Sequence, residues 1–188
     1  MRCKYWNDFG HPEYKVNVNL SVIQLLQNDI IDTIKNALTE TEVQPSNLTL
    51  EVTEGLAIND MKRMQEVLGE IKKLGVRVAL DDFGTGYSSL NHIRSMPIDV
   101  IKIDKCFVED VGEDVFSEAF VKSVSQLADA LHMHVCVEGV EDKNQCDALK
   151  DMNVDLIQGY LFDKPLSVDD FEPVSYTHLR AHETCADL

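Results

Sequence analysis

Basic residues are scarce. Seventeen lysines and arginines face 33 aspartates and glutamates, leaving a formal charge of −16 over 188 residues. A surface so acidic excludes non-specific binding to DNA, RNA or an anionic membrane, which needs a basic footprint. It still admits a phosphorylated substrate, provided metal ions bring the missing positive charge. Close cysteine pairs are also lacking. Cys3, Cys106, Cys136, Cys146 and Cys185 are scattered without a C-x-x-C, which favours reduced thiols and a cytoplasmic compartment over a disulfide framework. No apolar run approaches the ~18 residues that would span a bilayer, and the N-terminus carries no signal-peptide pattern.

Against these absences, 44% hydrophobic residues suffice for a folded core. Six short aliphatic runs recur at the spacing of strand–helix units: "YKVNVNLS", "LTLEVTE", "VRVALDDF", "DVIKIDK", "HVCVEGV" and "DLIQGYLF". Helical stripes lie between them. Met61, Met64, Leu68, Ile71 and Leu74 form one, with Gly75 as its stop; Phe116, Phe120, Val124, Leu127 and Leu131 form another. Both are read as core.

Strands that alternate with helices imply an α/β fold with a parallel sheet. Within the strands, aliphatic residues alternate with single polar ones, as in Ile101 and Ile103 with Lys102, or Val135 and Val137 with Glu138. Alternation sends the two sets to opposite faces. A polar inner face suits a closed barrel whose C-terminal rim carries chemistry, whereas an open sheet covered on both sides would be apolar throughout. The expected fold is therefore an incomplete (β/α)8 TIM-type barrel, with about six of eight units present. "YWNDF" reads as the tail of a helix and Gly10-His11-Pro12 as a loop, so the chain is expected to start inside a domain that extends over residues 1–172. Residues 173–188 are expected to be a non-native or disordered tail; their His178 and His182 have the spacing of a helical metal pair but no further ligand nearby.

The adjacent carboxylates of Asp81 and Asp82, at the end of a buried run, would repel each other without a cation between them. Other polar strand ends join them: Asn19, Glu54, Lys102, Glu138 and Gln158, with Glu141 just beyond. Singly, each has a structural alternative. Glu54 could be a solvated strand end, Asn19 a cap for a helix near Val22, Lys102 a partner for the neighbours of Asp104, and Gln158 a backbone partner. Together, oxygen donors without Cys or His select hard cations, Mg2+ or Mn2+. Paired aspartates suggest two ions, an arrangement suited to in-line phosphodiester hydrolysis.

The motifs "VNVNLS", "LEVTEG", "LDDFGTGYSSL", "IDVIKIDKCFV", "VCVEGVED" and "IQGYLFDKPL" resemble, in order, those of the EAL-domain cyclic di-GMP phosphodiesterases. The resemblance runs from about Trp6 to Leu166. It implies hydrolysis of cyclic di-GMP to linear pGpG in bacterial signalling, with two Mg2+ or Mn2+ ions. By position, Asn19, Glu54 and Asp81 match ligands of the first ion, and Asp82 matches a ligand of the second. Lys102 matches the lysine that holds the attacking water. Glu138 matches a residue that is either a second-ion ligand or the general base, while Glu141 and Gln158 match supporting groups. Gly84, Thr85 and Gly86 match a substrate-side loop linked to dimerisation. The resemblance further implies a homodimer and an upstream sensor or GGDEF-type domain, with membrane anchoring, if any, outside this segment. Three departures stand out. The name-giving Glu-Ala-Leu is absent, Gly55 replaces the usual serine, and Ser175 to Leu188 resembles translated adapter sequence. The chain alone is therefore expected to be inactive and to fold poorly. A non-catalytic cyclic di-GMP receptor or scaffold of the same fold is the alternative.

Overall fold

The computed structural model describes residues 2–53, 61–86 and 90–171. Helix α1 (Arg2–Asp8) leads into β1 (Val16–Asn19), and α2 (Val22–Leu25) and α3 (Ile30–Thr41) precede β2 (Leu48–Thr53). Then come α4 (Met61–Lys73), β3 (Arg77–Phe83), α5 (Leu90–Ser95), β4 (Val100–Ile103), α6 (Val115–Ala130), β5 (His134–Val137), α7 (Lys143–Leu149) and β6 (Leu156–Ile157). A further helical turn begins at Val168. All six strands fall inside the six aliphatic runs, and they form one wholly parallel sheet in sequence order.

The sheet curls. Asn17, Thr49, Ala79, Lys102, Cys136 and Leu156, one from each strand, line a single cavity of about 400 Å³. Six flat strands would put the outer two about 24 Å apart, too far to share it. Alternation decides what each face sees. Leu50, Val52, Val78, Leu80, Ile101, Ile103, Val135 and Val137 point outward into one core with Met64, Leu68 and Ile71 of α4, Val121 and Val124 of α6, and Leu149 of α7. On the inner face the apolar contact shrinks to Ala79, Val100 and Cys136.

Local signals set the helix ends. Ser21, not Asn19, caps α2: its Oγ accepts from the Gln24 N–H at 3.2 Å, and Gln24 Oε1 accepts from the Ser21 N–H at 3.0 Å. The expected stripe on α4 is the buried face, with Met64, Leu68 and Ile71 fully covered. The expected stripe on α6 is only partly so: Val124 is buried and Phe120 and Leu131 pack against the core, but the buried positions are Ser117, Val121, Val124, Ser125 and Ala128, and Phe116 is 66% exposed. Two small serines let the helix lie close to the sheet, which rotates the large phenyl off the seam. The tail at 173–188, including His178 and His182, lies outside the described residues.

Candidate active site

Lys102 points inward from β4, as Val100 does, on a central strand whose four residues are all buried. Its ammonium lies 2.8 Å from Glu51 Oε1, 2.8 Å from Asp81 Oδ1 and 2.8 Å from Glu138 Oε1. These carboxylates come from β2, β3 and the residue after β5, so side chains from four consecutive strands converge on one point. Asn17 of β1 adds a hydrogen bond from Nδ2 to Glu51 Oε1 at 2.8 Å. Asn19 stands opposite Glu51 in the β1–β2 register. Burial alone would lower the charge on Lys102, but its contacts to Asp81, Glu138 and Glu51 outweigh this and raise its pKa above the ordinary lysine value. Burial pushes the Glu138 carboxyl up despite the opposing pull of Lys102.

Strict alternation would send Asp81 and Asp82 to opposite faces. A bulge prevents this: Leu80 pairs with Ile101 and Phe83 with Ile103, so β3 spends one extra residue. Asp82 takes it up in the left-handed region, φ 54°, a conformation that Asp tolerates. Phe83 is thereby returned to the outer core. Asp82 stays within the field of Asp81, Asp104, Lys102 and Glu51. Its pKa is raised by burial first, and then by Asp81 and Asp104.

Gly84, Thr85 and Gly86 follow directly. The Thr85 hydroxyl donates to the Asp82 carbonyl at 2.9 Å. Gly84 has φ 101°, and a Cβ there would lie 2.5 Å from Phe107 and 2.7 Å from Phe120, so the turn beside the aspartates needs glycine. Across the rim, Glu138, Glu141 and Gln158 line a second cavity of about 240 Å³ with Asp104, Lys105 and Tyr160. Gly139 (φ 76°) turns the chain there, where any side chain would collide with Lys105.

The structure thus gathers Lys102, Asp81 and Glu138, holds Asn19 and Asp82 beside them, and groups Glu141 and Gln158 with Glu138. Glu54 lies outside the described residues. Glu51, three positions earlier, was not singled out from the sequence. It is buried mid-strand inside "LTLEVT", away from the strand ends that carry the other polar candidates. The alternation Thr49, Glu51, Thr53 was the available signal.

Among the described residues, no three of His, Cys, Asp and Glu stand in a ready metal-binding geometry, and the Lys102 ammonium lies between three carboxylates. The donors nonetheless suit a hard cation. All are oxygens, and three carboxylates around one ammonium leave negative charge in excess. Asp81 Oδ1 is buried without a well-directed hydrogen bond, so its ammonium contact satisfies charge but not direction. The Cys136 thiol on the same inner face is pushed up to about 12 by burial and by Glu138, so it offers no thiolate.

Comparison with known proteins extends this picture. The EAL domain profile matches residues 2–165. The chain is 34% identical over 168 residues to the bifunctional diguanylate cyclase/cyclic di-GMP phosphodiesterase MucR of Pseudomonas aeruginosa, covering 89% of this chain and 24% of MucR. Its fold is similar to that of the PaMucR phosphodiesterase in complex with c-di-GMP, with a TM-score of 0.84 at 33% identity, covering 89% of this chain and 68% of the other. It is also similar to Klebsiella pneumoniae BlrP1 in a manganese/cy-diGMP complex, with a TM-score of 0.78 at 28% identity, covering 87% and 42%. The chain therefore spans about a quarter of the length of a curated relative such as MucR.

Proposed function

Because the chain belongs to the EAL domain family, we propose that it carries the acidic catalytic face of a divalent-metal-dependent phosphodiesterase acting on cyclic di-GMP and releasing linear pGpG. The observation that carries this reading is the convergence of Glu51, Asp81 and Glu138 on Lys102, at 2.8 Å each. Asn19, Glu51, Asp81 and Asp82 would hold the cations, two Mg2+ or Mn2+ ions, with Glu54 a further candidate. When bound, they supply positive charge to the phosphate oxygens and acidify the attacking water. Lys102 places a cation beside the developing negative charge. Glu138, with its raised pKa, is suited to accept a proton from water, and that role competes with service as a ligand. Glu141 and Gln158 line the cavity that would receive the phosphodiester.

Gly84, Thr85 and Gly86 would form the substrate-side loop and link it to a homodimer partner. A GGDEF-type or sensor domain in the same protein, and a cytoplasmic setting, fit the reading. No helix among the described residues is long and apolar enough to cross a membrane.

A hybrid tests the proposal directly: residues 2–165 replace the matching segment of MucR, and cyclic di-GMP turnover is followed with Mg2+. Conversion to pGpG, abolished by Asp81→Asn, is expected. Tight binding of cyclic di-GMP without turnover would replace the enzyme reading with a receptor of the same fold.

A further inference from the structure

A lysine at the centre of the cage is a physical problem for any cation that must bind there. Ligand oxygens approach hard cations at about 2.0–2.6 Å, whereas the three carboxylate oxygens stand 2.8 Å from Lys102 Nζ. The oxygens need move less than about an ångström to grip a metal, but they cannot grip it while the ammonium fills the same focus. Without any cation there, the three carboxylates, one buried and two half-buried, would repel one another.

We propose that Lys102 is a surrogate cation: its ammonium holds Glu51, Asp81 and Glu138 together in the metal-free protein, and a divalent ion must push it off that focus, so Lys102 sets the affinity of the cage. This rests on the metal reading above. Three further observations support it. Asp81 Oδ1 lacks a well-directed hydrogen bond, so exchange for a spherical ion sacrifices no directional bond at that atom. The cage opens on two sides, with Glu138 lining the rim cavity and Lys102 lining the inner cavity of about 400 Å³. The ammonium therefore has room to yield toward Asn17 and Thr49 without leaving the side of the cage. Finally, Ile101 and Ile103 are fully buried on the opposite face, which fixes the Lys102 backbone, so only the side chain has to move.

The test uses the 188-residue chain with Lys102→Met, which keeps length and removes charge, and Lys102→Arg, which keeps charge. Melting in chelator and Mn2+ binding, read from the spin-resonance signal of free Mn2+, are the two measurements. Lys102→Met is expected to melt about ten degrees lower without metal, because buried carboxylates lose their partner. It should bind Mn2+ at least about tenfold more tightly, and Mn2+ should raise its melting temperature more than that of the unaltered chain. Lys102→Arg should stay within about threefold of the unaltered Mn2+ affinity. Should Lys102→Met fail to fold in chelator, refolding on addition of Mn2+ supports the proposal, and failure to refold overturns it. Folded Lys102→Met with equal or weaker Mn2+ affinity overturns the competition while leaving the metal reading intact, as does an Arg variant that behaves like Met. If no variant and no unaltered chain binds Mn2+, the metal reading falls and the competition falls with it.

Discussion

Ile101 and Lys102 are neighbours on one strand, yet they sit in opposite media. Ile101 is fully covered by the helix-side core, while Lys102 is nearly as sheltered but surrounded by carboxylates. The same contrast repeats at Leu80 and Asp81, and at Val137 and Glu138. Successive residues therefore divide the labour: the outward set holds the sheet to its helices, and the inward set gathers charge at the price of repulsion. If that division is right, cuts on the outer face should damage folding and spare chemistry per folded molecule. Removing a carboxylate from the inner face should do the reverse, whereas removing Lys102, the partner of three of them, should cost stability as well.

The largest effect is expected from Glu51. In the MucR hybrid, Glu51→Gln keeps size and removes one arm of the cage, and turnover should fall by at least about a hundredfold, with little change in melting. The same substitution at Glu54 measures how the work is shared between the two glutamates. Unaltered turnover in Glu51→Gln would make Glu51 a structural partner of Asn17 alone.

On the outer face, Leu80→Ala leaves a hole among fully buried side chains and should cost about 3 kcal/mol. Turnover per folded molecule should be preserved. A large loss of turnover with unchanged stability would blur the two faces. Gly84→Ala lies at the join between them. The positive φ and the Phe107 and Phe120 rings predict a loss of about 1–3 kcal/mol, read by chemical denaturation. No loss would mean that the phenyl rings yield freely.

The smallest effect concerns a carboxylate far from the cage. Burial pushes Asp155 up, but the Val135 N–H at 2.7 Å and His134 outweigh it and hold the carboxyl below the usual range. A lowered folded-state pKa contributes stability above the unfolded-state value, and that contribution is lost as pH falls through the folded one. Asp155→Asn should therefore lower the melting temperature by about 1–2 °C at neutral pH. The difference should vanish in acid, below the ordinary carboxylate range. A difference that persists in acid would assign the loss to packing.

Much of this division was legible in the sequence because period-2 alternation is a local signal. Lys102 and Glu138 announce themselves between aliphatic neighbours, and all six strands were placed. Three features were not legible. Glu51 sits in the middle of its strand, in register through Ala79 with Val100 rather than with Lys102, and reaches the lysine only through its side chain. The convergence of Asp81 and Asp82 depends on a bulge, which is set by pairing with β4 rather than by the local residues. Phe116 fits a helical stripe as well as Ser117 does, and the close approach of α6 to β5 decided between them. Each miss has the same cause: the deciding contact is with another strand or helix.

The most direct test of two faces with separate duties is Asp82→Asn in the hybrid, with turnover and metal-free melting measured on the same preparation. The substitution removes one of two adjacent negative charges and keeps the side chain's size. The account predicts that Mg2+-dependent hydrolysis falls by orders of magnitude, on the scale expected for loss of metal-ion catalysis. The metal-free melting temperature should hold or rise, because a carboxyl whose pKa is raised by burial and by Asp81 costs stability when ionised. A variant that melts well below the parent, while its folded fraction hydrolyses cyclic di-GMP at the parent rate, would show that the aspartate pair is structural and contradict the account.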